Sequence, residues 1–82
     1  MTNEEILGQL TQVMKKVFNM QNIVVTETTV ATDIEKWTSI THIRLVVEVE
    51  RFFKIKFKSL EIQKWNNVGD MMKSIQTHLA AK

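Results

Sequence analysis

The fold of this chain is decided by the stretch from Trp37 to Phe53, which reads WTSITHIRLVVEVERFF. Residues 39–53 are strongly apolar and are predicted to form a helix. Three β-branched valines lower its intrinsic helix propensity, so packing must hold it. Because its apolar positions occupy more than one stripe, the helix is either nearly central in the fold or exposes side chains such as Ile40 and Val47 to a partner.

A small hydroxyl residue, Ser39, stands where this helix begins. In one interpretation, Thr38 or Ser39 is simply the N-cap, a role worth on the order of 1 kcal/mol. In the other, the Ser39 hydroxyl is an attachment point for a covalently bound group. A phosphate attached there would meet free backbone N–H groups and the positive end of the helix dipole. The choice between these interpretations decides the function.

Three further segments have helical spacing. Residues 3–18 form an amphipathic pattern, a short helical turn follows residue 58, and a last helix begins near residue 67. The predicted caps are Thr2 with Glu5 in a capping box for the first helix, Ser59 for the short one, and Asn66 or Asn67 for the last.

Residues 19–38 are predicted to be a long ordered loop. Their β-branched run Ile23-Val24-Val25 has strand propensity, but no comparable second strand exists to pair with it. Apolar residues of this loop are expected to pin it to the core, and loops of this length are often functional. The chain is therefore predicted to be an all-α bundle of three long helices and one short helix, in a single domain spanning residues 1–82.

The composition excludes several classes of protein. The 82 residues contain no cysteine, so a disulfide scaffold and a thiolate metal site are excluded. No apolar stretch approaches the roughly 20 residues needed to cross a bilayer, and the acidic N-terminus lacks the basic region of a secretory signal. The expected compartment is the cytoplasm, without a membrane partner. The tryptophans and phenylalanines are expected to build the core.

Little in the chain points to catalysis. The two histidines, His42 and His78, are not spaced for a metal site and are expected to have structural roles. Ser39 and His42 could form a dyad at i, i+3, but no orienting acid or oxyanion hole accompanies them. We therefore predict no catalytic residue, no metal site and no enzymatic activity.

Residues 42–58 carry a local excess of positive charge, with five bases against the two acids Glu48 and Glu50. The simpler interpretation is a solvated helix face followed by a basic turn; the alternative is a patch that attracts phosphate or an acidic partner. The acids interrupt the patch and no recognition helix is evident, so a nucleic acid is not expected as a partner. The five bases are Arg44, Arg51, Lys54, Lys56 and Lys58.

Residues 33–57 resemble the acyl carrier protein family. That family carries a loop aspartate, then Asp-Ser-Leu, then an apolar helix that ends in an acidic-aromatic-x-Ile-x-Ile pattern. Here Ser39 matches the serine that receives 4'-phosphopantetheine, and Ile40 matches the leucine after it. The resemblance covers nearly the whole chain, since the family's first loop, helix exit and last helix start are matched by residues 25–29, 53–57 and 67–70.

The resemblance implies an acyl-carrier-like four-helix bundle that carries a prosthetic group. A phosphopantetheinyl transferase would move 4'-phosphopantetheine from coenzyme A onto Ser39. The thiol of that group would hold an acyl or aminoacyl intermediate as a thioester and present it to enzymes of fatty acid, polyketide or secondary metabolite biosynthesis. The chain is expected to be a monomer. The implied partner-docking residues are Thr38, Ile40, Arg44, Val47 and Glu48.

Two departures from the family pattern bear on this interpretation. Thr38 stands where the family nearly always has aspartate, at the interface with the transferase, and Arg44 and Arg51 replace two expected acids. The cognate enzymes should therefore be less basic at this face or specialised. The alternative function is that of a carrier-like helical interaction module that is not modified at Ser39.

Overall fold

The computed structural model describes residues 1–81 and contains four α-helices and no β-strand within that range. The all-α bundle with a short third helix and a long first loop is thereby confirmed. Lys82, the last residue of the predicted domain, lies outside the described residues. The helices are α1 Asn3–Phe18, α2 Ser39–Phe53, α3 Ser59–Gln63 and α4 Val68–Ala80, and a 3-10 turn spans Ala31–Asp33 within the loop.

Helix α1 begins at the predicted capping box. The Thr2 hydroxyl oxygen accepts from the Glu5 N–H at 3.1 Å, and the Thr2 N–H donates to Glu5 Oε1 at 2.9 Å. Asn19 follows the last helical residue as the C-terminal cap and adopts the left-handed conformation typical of that position. Its buried face consists of Ile6, Leu10, Val13, Met14, Val17 and Phe18.

The core lies where α1 packs against α2 and α4. Each fully buried aliphatic side chain at this junction contributes about 1.5–3 kcal/mol relative to exposure. This packing holds α2 in helical form although its valines favour extended backbone. The completely buried side chains include Ile6, Leu10, Met14, Leu45, Val49, Val68 and Ile75.

The long loop is fastened to the N-terminus of α4 by backbone hydrogen bonds. The Val68 N–H donates to the Thr29 carbonyl at 2.9 Å, and the Gly69 N–H donates to the Glu27 carbonyl at 2.7 Å. These bonds satisfy two of the N–H groups that a helix N-terminus leaves without intrahelical partners. Two apolar side chains of the loop, Val25 and Ile34, are also buried in the core. The prediction of an ordered loop pinned by apolar residues is therefore confirmed.

Two local expectations are wrong. Ser59 does not cap α3: it is the first helical residue, and the preceding Lys58 N–H donates to Glu61 Oε1 at 3.0 Å instead. Phe52 does not belong to the core, since 52% of it is exposed. It lies beside the buried stripe of α2, where the interior is already filled by Val49 and Phe53.

A row of aromatic rings crosses the bundle and joins its elements. It connects α1, the end of the loop, α2, the α3–α4 link and α4. Tilted, stacked and edge-to-face contacts of this kind add about 0.5–1.5 kcal/mol per pair beyond the buried area. The successive ring centroids are 5.7 Å apart for Phe18–Trp37, 6.0 Å for Trp37–His42, 6.4 Å for His42–Trp65, 4.8 Å for Trp65–Phe57 and 5.5 Å for Phe57–His78.

We expect Gly69→Ala to destabilise the fold by about 1–3 kcal/mol, because the added methyl group would overpack the site where the Glu27 backbone lies against the start of α4. An added Cβ would lie 2.9 Å from the Glu27 carbonyl oxygen, which belongs to the backbone and cannot move away alone. Urea unfolding followed by circular dichroism measures the change.

Gly8→Ala is the matched control, because a Cβ at Gly8 meets nothing within 4 Å and the residue lies inside α1. It should stabilise the protein by about 0.5–1 kcal/mol through helix propensity. Equal stabilisation by both substitutions would contradict the close approach of the loop at Gly69.

Candidate functional site at the start of helix α2

Two threonines fix the start of α2 by exchanging hydrogen bonds. The Thr38 N–H donates to Thr41 Oγ1 at 2.7 Å, and the Thr41 N–H donates to Thr38 Oγ1 at 3.3 Å. The Thr41 hydroxyl in turn donates to the Lys36 carbonyl at 2.7 Å, which ties the helix to the end of the loop. Thr38, and not Ser39, is therefore the N-cap.

This arrangement of hydrogen bonds does not use the Ser39 hydroxyl. It is the first residue of α2, its side chain is exposed, and its hydroxyl has no hydrogen-bond partner among residues 1–81. The backbone N–H groups of Ser39 and Ile40 likewise find no acceptor within the described chain. The hydroxyl thus stands in solvent beside two free donors at the positive end of a helix dipole.

His42 has a structural partner rather than a catalytic one. The Trp37 indole N–H donates to His42 Nδ1 at 3.0 Å, and the two rings stack. Burial lowers the pKa of His42 below its ordinary value of 6.5, which keeps the ring neutral and able to accept this bond. The bond fastens the end of the loop to α2 one turn beyond Ser39.

His78 also holds two elements together. Its Nε2 lies 2.9 Å from Glu61 Oε1, which joins α4 to α3. Burial raises the pKa of Glu61, but the hydrogen bonds from His78 and from the Lys58 N–H outweigh that effect and lower the pKa overall. The structural roles expected of both histidines agree with these contacts.

Within residues 1–81, no group of three or more histidine, aspartate and glutamate side chains is placed to hold a metal ion. Over the same range, none of the helices combines the length and the hydropathy that crossing a bilayer requires.

The outward face of α2 extends from Ser39 along the helix and is unusually apolar. We use this name for Ile40, Ile43, Arg44, Val47 and Arg51. Ile40, Ile43 and Val47 are exposed to 73%, 67% and 42%. The structure therefore supports the second of the two alternatives for this helix, exposure of apolar side chains rather than a central position. Contiguous exposed apolar side chains are typical of interaction surfaces.

The predicted docking residues do not all share this face. Ile40, Arg44 and Val47 lie on it, and Thr38 directly precedes it. Glu48 lies at the edge of this face: it is half-buried, lines a groove between α1 and α2 together with Arg51, and lies 3.6 Å from an Arg51 guanidinium nitrogen. The docking residues predicted from the sequence do not include Ile43. Its spacing of three residues from Ile40 and four from Val47 nevertheless places it on the same side of the helix.

A comparison with solved structures agrees with this fold. No protein-family model matches the chain, and no curated protein matches it. The chain is similar to a solved structure, the solution NMR structure of the holo acyl carrier protein from Geobacter metallireducens, with 41% sequence identity and a TM-score of 0.88. The match covers 93% of this chain and 87% of that one.

The fold and the exposed serine at the start of α2 define a carrier-type helical bundle. At this identity and coverage the structural match shows more than the fold, and the chain belongs to the acyl carrier protein family.

We expect Thr38→Ala to destabilise the fold by about 1 kcal/mol, because it removes the cap oxygen that accepts from the Thr41 N–H. Ser39→Ala is the matched control and should change the free energy of unfolding by less than about 0.5 kcal/mol, since its hydroxyl holds no partner. Urea unfolding of both variants checks this, and an equal cost for the two would contradict the assignment of the cap.

We expect acid to weaken the bond between Trp37 and His42. Protonated His42 cannot accept from the indole N–H, and its pKa in the folded state lies below 6.5, so the unfolded state binds the proton more readily. The stabilisation is complete above pH 6.5 and is lost as the pH falls below that value toward the folded-state pKa.

Thermal unfolding of the wild type and of His42→Phe between pH 7.5 and 5 measures this effect. The wild type should lose stability over that range more steeply than the variant, which lacks the titrating ring. Parallel pH profiles would contradict the assignment of the loss to His42.

Proposed function

We propose that this chain is an acyl carrier whose Ser39 Oγ holds 4'-phosphopantetheine, transferred from coenzyme A by a phosphopantetheinyl transferase. The observation that carries the proposal is the uncommitted, exposed Ser39 hydroxyl at the first position of α2, with Thr38 supplying the cap. A serine needed for capping would be a poor attachment site. The similarity to a holo acyl carrier protein supports the same assignment.

The residues present fit a phosphodiester at this position. The free N–H groups of Ser39 and Ile40 point out of the helix N-terminus, where backbone donors and the helix dipole favour negative charge. The exposed flank of the helix leaves room for a long flexible arm. When bound, the group supplies a terminal thiol that holds an acyl or aminoacyl group as a thioester.

The attachment needs only one nucleophilic atom from this chain. The Ser39 oxygen bonds to the phosphorus next to the pantetheine, the bridging bond of the pyrophosphate breaks, and adenosine bisphosphate leaves. The Ser39 proton passes to a base on the transferase, since His42 already accepts from Trp37 through Nδ1. The chain performs no further chemistry and presents the tethered group at high effective concentration.

We propose that enzymes dock on Thr38, Ile40, Arg44, Val47 and Glu48, with Ile43 added from the structure. Ile40 directly follows Ser39 and Ile43 lies about one turn further along the helix, and their burial by a partner would supply hydrophobic contact area. The partners are the transferase and the acyl- or aminoacyl-transferring enzymes of a biosynthetic pathway. The chain would act as a monomer in the cytoplasm.

The alternative function is that of an unmodified helical interaction module. The apolar outward face of α2 favours it, because that face is complete without any group on Ser39. Partner binding would then be the same for the wild type and for Ser39→Ala. Binding that requires the modified serine favours the carrier function.

Incubation with coenzyme A and a broad-specificity phosphopantetheinyl transferase should increase the intact mass by one phosphopantetheine. The added group should carry a thiol that alkylating reagents modify. Ser39→Ala should show neither change, whereas Thr41→Ser, which keeps a hydroxyl close to Ser39, should still be modified.

No mass increase in the wild type, under conditions where an established carrier protein is fully modified, would exclude attachment by that transferase. Peptide mapping then has to place the added mass on Ser39. An added mass on another residue would contradict the proposed site.

A further inference from the structure

The charges on the outward face of α2 are positive. Arg44 and Arg51 lie on that face between and beyond the exposed apolar side chains, and both are exposed. No acidic residue of α2 projects from the centre of this face, because Glu48 and Glu50 occupy its two edges on a helix with 3.6 residues per turn. A partner that covers the face meets guanidinium groups beside isoleucine and valine side chains.

Both acids of the helix are already engaged. Glu50 Oε2 accepts from the Phe57 N–H at 2.8 Å and so holds the chain that leaves α2. Glu48 lies 3.6 Å from the Arg51 guanidinium and offsets part of its charge, although 75% of the Arg51 side chain remains exposed. Arg44, the arginine nearer to Ser39, forms no ion pair within residues 1–81. Its charge is therefore available to a partner.

The position of Ser39 determines which enzyme must cover this face. With a rise of 1.5 Å per residue, Arg44 lies about 7.5 Å along the axis from Ser39. An enzyme that brings a phosphorus atom to Ser39 Oγ along this face covers Ile40, Ile43 and Arg44, which are all exposed. A basic surface there would face unpaired like charge, whereas an acidic surface would complement it and accelerate association.

We propose that the phosphopantetheinyl transferase acting on this chain presents carboxylates to Arg44 and Arg51 around an apolar recess for Ile40, Ile43 and Val47. The proposal rests on the proposed function and adds the chemistry of the partner. Thr38 fits the same partner, because a neutral N-cap adds no negative charge that such a surface would repel.

The test uses one broad-specificity transferase in two versions. The parent is chosen to carry lysine or arginine residues where it contacts carrier proteins, and in the second version those residues are replaced by glutamate. The second version should modify the wild-type chain with a kcat/KM about tenfold higher than that of the parent, a ratio that falls as sodium chloride is raised. The double variant Arg44→Glu with Arg51→Glu should reverse the preference.

Lys73→Glu is the control for a charge reversal elsewhere on the chain and matches the single substitution Arg44→Glu in net charge, since Lys73 is an exposed lysine of α4. It should leave the preference between the two versions as in the wild type. Circular dichroism verifies that each variant is folded, and the neutral substitution Arg44→Gln gives an intermediate preference if the charge is what matters.

The possible failures are distinguishable. Equal modification of the wild type by both versions, without salt dependence, overturns the acidic partner and leaves the carrier function intact. Failure of both versions to modify the wild type, while the parent version modifies an acidic carrier protein and the second version modifies a basic variant of that carrier, overturns both proposals. A dimer in solution that buries Arg44 against a second copy overturns the proposal that this face is reserved for an enzyme.

Discussion

The exchange of hydrogen bonds between Thr38 and Thr41 is the constraint on which the functional end of the molecule depends. It caps α2 with side chains on either side of Ser39, so the serine hydroxyl is not needed for the helix. The link from Thr41 to the Lys36 carbonyl extends the same network into the loop. One small network thus sets both where the helix begins and which hydroxyl remains available.

The same network explains why a threonine is tolerated where the family has an aspartate. A capping residue needs an oxygen that accepts from the third residue of the helix, and a hydroxyl meets that need as a carboxylate does. What Thr38 lacks is the charge. The difference between Thr38 and aspartate is therefore electrostatic rather than geometric. Like Arg44 and Arg51 on the adjoining face, it makes the charge at this end of α2 less negative.

Features governed by neighbours in sequence were predictable. The capping box of Thr2 and Glu5, the bounds of α1 and α2, and the loop between them follow from local spacing and side-chain chemistry. The location of Ser39 at a helix start follows from the same signals. That its hydroxyl is unbonded does not, because either Thr38 or Ser39 satisfies the preferences of a cap.

Features governed by distant contacts were not predictable from the sequence. The bonds that join residues 27 and 29 to α4 involve backbone groups, which carry no sequence signature. The pairing of Trp37 with His42 requires the loop to end at a particular angle. The exposure of Phe52 reflects competition for the interior with Phe53 and Val49, and two adjacent phenylalanines do not show by themselves which of them is excluded.

The attachment of the loop to α4 has a consequence for the biosynthesis of the protein. The Glu27 and Thr29 carbonyls have no partner of this kind until Val68 and Gly69 have been translated. A nascent chain of which only α1, the loop and α2 have emerged from the ribosome therefore lacks the anchors that position the segment before Ser39. The loop that leads to Ser39 therefore acquires these two anchors only after the start of α4 has been synthesised.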